Sequence, residues 1–487
     1  MKLDDLLESL EPVEVTGSTD IDIADIAYDS RKVKKGSLFV CIEGTKQDGH
    51  TFVSDAIING ASAVLATKSV DIPGDVTFIK VINARKDLAI VSDVFFGHPS
   101  GKLELIGITG TKGKTTITYL IKSILEAAGR KVGLIGTIKN MIGSEVLYAE
   151  RTTPESYDLQ SLLALMADKG ADTTVMEVSS QGLALHRVDC CEFDIGIFTN
   201  LSRDHIGPKE HASMQDYFAA KLKLFEISRI GLVNIDSDYG SKVMGSSDIH
   251  MYKYGINNEA DIYATDIKRF PDSMSFLAKT PWWDGMLTVS IPGTFSVYNA
   301  LAAIGAAGIC GIPYEIVREG LAGVRVSGRA ETVDTSGLEM AVIVDYAHTP
   351  DSLENILATM KENTKGRLVC VFGCGGDRDR AKRPIMGEIS GKLADFTIIT
   401  SDNPRTEDPE DIVHHIQEGI MQVNGLHSVI VDRREAIRSA LLNALPGDTI
   451  VIAGKGHENY QQFADRTIHF DDKEVAREII DEIRKRS

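Results

Sequence analysis

One ten-residue stretch constrains the fold more than any other part of the chain. GITGTKGKTT (107–116) follows the apolar run LELIGIT (103–109), which reads as a buried strand. It opens a segment that places Ile117, Leu120, Ile121, Ile124 and Leu125 on one face of a helix. A strand, a glycine turn and a helix in that order build a parallel sheet with helices on its faces. Gly110, Gly113, Lys114 and Thr115 form a G-x-x-G-K-T loop, shorter than the usual G-x-x-x-x-G-K-[ST]. Its glycines let backbone N–H groups converge on phosphate at a helix N-terminus. Lys114 is placed to reach the β- and γ-phosphates, and Thr115 or Thr116 offers a hydroxyl to Mg²⁺. The plainer alternative is a glycine-rich turn with an incidental lysine. The order of strand, loop and helix weighs against it.

The alternation continues. Gly129 is placed to end the first helix. KVGLIG (131–136), TTVMEVS (173–179) and FDIGIFTN (193–200) read as strands, and Leu159, Leu162, Leu163 and Met166 mark a helix. Before Ser100 lie short β-like runs, SLFVCI (37–42) and ASAVLAT (61–67). A further block begins near Gly328, with strand candidates at 340–345, 367–372, 395–400, 427–432 and 448–453. The fold class expected is therefore α/β in three domains, which 487 residues accommodate. These are an N-terminal domain (1–98), a central P-loop-type parallel-sheet domain (99–328) and a C-terminal Rossmann-like doubly wound domain (329–487).

Charge narrows the partners. A formal charge of −18 argues against nucleic acid or a membrane surface as a general partner. Anionic ligands need local sites built against that field. The six cysteines show no Cys-x-x-Cys pair, which points to free thiols in a reducing compartment. MKLDDLLESLEP at the N-terminus does not read as a signal peptide. No apolar run approaches the ~18 residues of a membrane span. A cytoplasmic protein is the expectation.

Three residues downstream of the loop bear on chemistry. Glu177 sits at the C-terminal end of a strand, where open α/β sheets bind ligands and where a carboxylate suits Mg²⁺. Alone it is as well explained as a strand-end surface carboxylate. His205, in TNLSRDH, follows the next strand in the same way. Lys221 falls in the middle of the apolar arc formed by Tyr217, Phe218, Leu222, Leu224 and Phe225. Such a lysine either snorkels to the edge of the face or is buried with a lowered pKa, leaving an amine able to take up CO₂.

At this point a family resemblance is visible. GTKGKTT, MEVSSQGL, TNLSRDH, the AK of YFAAKLKLF, GTFSVYNALAA, GRAE and DYAHTPDSL occur in that order over nearly the whole chain. They resemble the Mur ligases of peptidoglycan synthesis, three-domain ATP-dependent enzymes that add amino acids to a UDP-muramoyl peptide. FGCGGDRDRAKRP, SDNPRTEDP and AGKGHENYQ resemble the MurE type, which adds the third residue.

The resemblance implies roles. Gly110, Thr111, Lys112, Gly113, Lys114, Thr115 and Thr116 would hold ATP phosphates. Thr115, Glu177, His205 and Lys221, the last as a CO₂-derived carbamate, would ligate Mg²⁺. Lys114, Lys221, Glu177 and His205 would be the catalytic set. Asn299 would lie near adenine, and Arg329, Asp345 and His348 would border the nucleotide. Ser30 matches a UDP-sugar contact; Thr152, Thr153, Ser179 and Arg187 match contacts to the UDP-muramoyl dipeptide. Asp402, Asn403, Pro404 and Arg405 (DNPR), with Arg378, Gly454 and Glu458, match contacts to meso-diaminopimelate. Diaminopimelate is lysine with an extra carboxylate at its far end. Arg405 can pair with that group bidentately, and Asn403 can add a hydrogen bond. Glu458 would receive an ammonium.

Two stretches depart from the commoner pattern. Gln181 stands where many relatives have His, and DHIGPKEH (204–211) replaces an LDYHGT-like stretch, resembling some lysine-adding relatives of Gram-positive bacteria. The reaction implied is amide formation through an acyl phosphate, with the C-terminal domain supplying the amine and closing onto the central one. The partners implied are the UDP-muramoyl dipeptide, ATP and a diamino acid, acting on a monomer. Alternatives are the same reaction with lysine or ornithine, a folylpolyglutamate synthase, or a non-catalytic nucleotide-binding regulator.

Overall fold

The computed structural model describes residues 1–44, 47–204, 206–207, 210–270 and 272–486. The chain divides into two compact units. The first comprises Met1–Tyr263, Lys279–Asp284 and Tyr298–Gly320; the second comprises Ala264–Ala278, Gly285–Val297 and Leu321–Ser487.

The first unit holds two sheets. Strands β1 (Glu14–Thr16), β2 (Asp25–Ala27), β3 (Ser37–Val40), β4 (Ala61–Ala66) and β5 (Thr77–Lys80) form one in the order β1-β5-β4-β3-β2, with β1 antiparallel to β5. The other contains β6 (Glu104–Thr109), β7 (Val132–Ile135), β8 (Asn140–Ile142), β9 (Glu145–Leu147), β10 (Thr173–Glu177), β11 (Phe193–Phe198), β12 (Ser228–Asn234) and β13 (His250–Gly255). Their order is β13-β12-β11-β6-β10-β7-β8-β9. It is parallel from β13 to β7, and β8 and β9 add an antiparallel edge. The expected α/β class is thus found, with antiparallel additions at its rims.

Register decides where the chemistry sits. Glu177 on β10 pairs with Ile108 on β6, and Phe198 on β11 pairs with Thr109. The phosphate loop therefore leaves β6 between the C-terminal ends of its two neighbours. This is a switch point, where the chain turns from one side of the sheet to the other. The helix Lys114–Ala127 that follows buries Ile117, Leu120, Ile121, Ile124 and Leu125, as its periodicity predicts. Gly129, at φ +81°, ends it: Gly129 N–H donates to Glu126 O and Arg130 N–H to Leu125 O.

Strands β14 (Ile262–Arg269), β15 (Met274–Lys279) and β16 (Asp284–Val289) fall where the sequence reading places no element. The second unit contains β17 (Glu331–Val333), β18 (Ala341–Asp345), β19 (Leu368–Phe372), β20 (Phe396–Ile399), β21 (His427–Val429) and β22 (Thr449–Ala453). Their order is β17-β18-β22-β19-β20-β21, parallel except for β17. Ala453 pairs with both Asp345 and Phe372, so the loops after β18, β19 and β22 leave side by side. Among the described residues no helix is long and apolar enough to cross a membrane.

Candidate active site

The phosphate loop needs its glycines. Gly110 has φ +147°, and a Cβ there would lie 1.9 Å from Thr199 Oγ1. Gly113 has φ +90°, and its Cβ would lie 2.6 Å from Asn299 Oδ1. The end of β11 pins the loop: Thr111 N–H donates to Asn200 O (2.9 Å), Lys112 N–H to Asn200 Oδ1 (3.0 Å) and Thr199 Oγ1 to Lys112 O (2.6 Å). Lys114 Nζ crosses the loop to Gly110 O (2.8 Å) and Thr111 O (3.0 Å). Thr115 and Thr116 are buried at the start of the helix. Asn299, expected near adenine, packs on the loop itself.

Glu177 is 1% exposed, so it is not a surface carboxylate. Its Oε2 accepts from Thr115 Oγ1 (2.9 Å) and Thr137 Oγ1 (3.1 Å), and its Oε1 accepts from Thr137 N–H (2.8 Å). A buried carboxylate beside two hydroxyls is a hard-oxygen donor set that fits Mg²⁺. His205 lies outside the described residues. Lys221 is buried, donates to Gly110 O (2.9 Å) and has its Nζ 4.6 Å from the Tyr217 ring centroid. Burial, then the nearby Lys114 charge, hold its pKa well below the usual lysine range. It does not snorkel.

The expected dipeptide contacts gather on the same strand end. The hydroxyls of Thr152 and Thr137 are 3.0 Å apart. Thr153 Oγ1 donates to Glu177 O and accepts from Ser179 N–H, and Arg187 donates to Thr153 O at 3.1 Å. Ser30 lies elsewhere, in a 3₁₀ turn of the N-terminal sheet, where its carbonyl accepts from Asn59 Nδ2. Sequence reasoning missed Glu155. It is buried and paired with Arg85 (2.9 Å), Arg151 (3.0 Å) and Arg187 (3.2 Å), and so sets the orientation of Arg187. Burial lowers the Arg187 pKa. The TTPE spacing was the one available signal.

The departure at DHIGPKEH acquires a partner. His211 Nε2 lies 2.9 Å from Ser180 Oγ and its Nδ1 3.2 Å from Asp216 Oδ2. His211 thus braces the turn that carries Ser179 and Gln181.

The second unit brings together the remaining expected residues. Asp345 Oδ2 accepts from Ala330 N–H (2.7 Å), and burial raises its pKa. The Arg329 guanidinium lies 4.9 Å from the Tyr346 ring centroid, and that ring also packs on His348 (4.4 Å) and His457 (4.8 Å). Asp402, Asn403, Gly454 and Glu458 form a second group. Asn403 Nδ2 donates to Glu458 Oε2 (2.8 Å), while Asn403 Oδ1 accepts from Lys455 Nζ (3.2 Å) and Gln462 N–H (2.9 Å). Asn403 therefore orients Glu458, with its oxygen already committed. Lys455, fully buried and 3.0 Å from Glu458, was not anticipated from sequence. Arg405 and Arg378 converge on Gly375: a Cβ there would lie 2.9 Å from Arg405 Nη1 and 3.8 Å from Arg378 Cγ. Pro404 reaches the same loop through its carbonyl, 1.8 Å from where a Cβ of Gly376 would sit.

Known proteins resemble this chain in sequence and in fold. Three family models match in sequence: Mur ligase family, catalytic domain, over residues 22–94; Mur ligase middle domain, over 108–307; and Mur ligase, glutamate ligase domain, over 328–456. A UDP-N-acetylmuramoyl-L-alanyl-D-glutamate–2,6-diaminopimelate ligase of Caldanaerobacter subterraneus subsp. tengcongensis is 49% identical over 486 residues, 100% of each chain. The chain belongs to the Mur ligase family.

It is accordingly an ATP-dependent, amide-bond-forming ligase. A Clostridioides difficile ligase of the same description is 48% identical over 99% of each chain. A solved structure of a UDP-N-acetylmuramoyl-L-alanyl-D-glutamate–2,6-diaminopimelate ligase matches with a TM-score of 0.71 at 31% identity, covering 99% of each chain. In this Mur ligase, the phosphate loop, Glu177 and Lys221 form one cluster in the first unit. The residues around Arg405 and Glu458 form another in the second.

Proposed function

We propose that this Mur ligase adds meso-2,6-diaminopimelate to the D-glutamate of UDP-N-acetylmuramoyl-L-alanyl-D-glutamate, a step of peptidoglycan precursor synthesis. The observation that carries the reading is the charge pattern around the DNPR loop. Arg405 and Arg378 stand at Gly375, while Glu458 is turned by Asn403 and Lys455 at the other end of the same loop. A ligand with a carboxylate and an ammonium at its far end suits that pattern. Lysine would leave Arg405 without its anion, at a cost of about 2–5 kcal/mol in a closed site. The relatives at 48–49% identity carry the diaminopimelate name. His211, which ends the lysine-type stretch, bonds to Ser180, beside the expected dipeptide contact Ser179.

The chemistry follows from charge placement. Thr153, Ser179 and Arg187 hold the dipeptide so that its γ-carboxylate meets the γ-phosphate. Lys114 offsets the charge that develops as the γ-phosphoryl group passes from ATP to the carboxylate, a transfer that releases ADP and leaves an acyl phosphate. Thr115, Glu177, His205 and a carbamate on Lys221 would hold Mg²⁺, which supplies Lewis-acid polarisation of the phosphate oxygens. Loss of the proton from buried Lys221 is what makes its amine reactive toward CO₂. Asn299, Arg329, Asp345 and His348 hold the nucleotide, and Ser30 the UDP moiety. Attack of the diaminopimelate amine on the activated carbonyl then expels phosphate. All six cysteines are free thiols, which fits the cytoplasm.

The test is ADP release with the UDP-muramoyl dipeptide and each diamino acid separately. Diaminopimelate is expected to trigger release, with lysine and ornithine far behind. Release with lysine but not diaminopimelate would reverse the specificity, and release with neither would favour a nucleotide-binding regulator.

A further inference from the structure

The arginine expected to read diaminopimelate sits in an unfavourable backbone state. Arg405 has φ +52°, and Asp377 in the facing loop has φ +55°. A non-glycine residue holds such a conformation only where its surroundings fix it. Here the two loops hold each other. Gly376 N–H donates to Asn403 O (2.9 Å) and Arg405 Nη1 to Gly376 O (2.7 Å). Thr406 Oγ1 donates to Asp377 Oδ1 (2.6 Å).

Both loops rest on one ion pair. Arg383 has a side chain with no exposed surface, and it grips Glu407 bidentately, at 2.8 and 3.1 Å. Glu407 Oε1 also accepts from Asp377 N–H at 2.6 Å, and Arg380 adds a second cation at 2.9 Å. Arg383 lies in the first turn of the helix Lys382–Leu393, and Glu407 immediately precedes the cap of the helix Pro409–Gln422. Those helices approach so closely that a Cβ at Gly387 would lie 2.1 Å from Ile416 O, and one at Gly419 would lie 1.8 Å from Pro384 O. The pair therefore stands on a rigid base, and only Asp377, Gly376 and Thr406 separate it from Arg405.

We infer that Glu407 and Arg383 are positioning residues for amino-acid selection: they lock the Gly375–Asp377 loop so that Arg405 and Arg378 present their guanidinium groups to the far carboxylate of the substrate. The inference rests on the diaminopimelate reading above. A purely structural pair would alter folding and leave the KM values alone. A positioning pair shifts the KM for one substrate only.

The experiment measures KM for diaminopimelate, ATP and UDP-muramoyl dipeptide, together with Tm, in Glu407→Gln, Thr406→Val and Arg405→Ala. Thr406→Val lies at the exposed end of the chain of contacts and leaves the buried Arg383 pair intact, so it serves if Glu407→Gln fails to fold. Expected are a rise of about tenfold or more in the diaminopimelate KM for Glu407→Gln and a smaller rise for Thr406→Val. The other two KM values should stay within about twofold. Arg405→Ala separates the two ideas. No change in the diaminopimelate KM on that substitution would overturn the reading of the site and the inference with it. A rise with Arg405→Ala but none with Thr406→Val or a folded Glu407→Gln would overturn the inference alone, as would equal shifts in all three KM values.

Discussion

Gly113→Ala offers a quantitative test of the phosphate loop. An alanine at φ +90° is strained by about 1–2 kcal/mol. Its Cβ would lie 2.6 Å from Asn299 Oδ1, about 0.8 Å short of ordinary contact. Asn299 is a terminal amide and can rotate away, which relieves the clash but removes it from the loop. The expected stability loss is about 2–3 kcal/mol in all. Activity should suffer more, because misplacing a phosphate-binding group by about 1 Å costs up to ~100-fold. Gly129→Ala is the matched control. It has a similar φ of +81°, but a Cβ there meets nothing within 4 Å. It should lower Tm by about 2–4 °C and leave kcat/KM for ATP alone. ADP release under varied ATP, with Tm in parallel, reads both. A Gly113→Ala enzyme whose kcat/KM for ATP lies within about threefold of Gly129→Ala would refute the close-approach argument.

Two further outcomes follow from buried charges. Lys221→Ala should abolish turnover, with partial recovery when a short-chain carboxylic acid is added, since a free carboxylate can stand in for the carbamate; no recovery with any small acid in the ADP-release assay counts against the carbamate. Glu407 is held down to about 2, from 4.5, chiefly by its bond to Arg383. A depressed carboxylate stabilises the fold fully above its unfolded pKa, and that contribution fades as pH falls through the folded value. The gap in urea midpoint between wild type and Glu407→Gln should therefore narrow as pH falls from about 5 to about 3; a gap independent of pH would contradict the ion-pair account.

How much of this was legible in sequence depended on range. Strand, glycine loop and helix are local, and the helix Lys114–Ala127 buries the face its spacing marks. Lys221 is intermediate. Its place in an apolar arc was readable, but its acceptor, Gly110 O, is 111 residues away. Asn403 shows the limit: DNPR was visible, but the bonds its oxygen accepts from Lys455 and Gln462, 52 and 59 residues away, were not.

By itself the sequence determined the α/β class and the phosphate loop, because backbone conformation and side-chain periodicity are fixed by neighbours within a few residues. Through its family motifs it also named most of the candidate site residues. Tertiary structure alone decided the bracing: the three arginines on Glu155, His211 on Ser180, Arg383 on Glu407 and Lys455 on Glu458. These are contacts of buried charges and polar groups, which must find partners wherever the packed chain brings them. Most of the partners come from distant elements, and sheet register and helix packing select them.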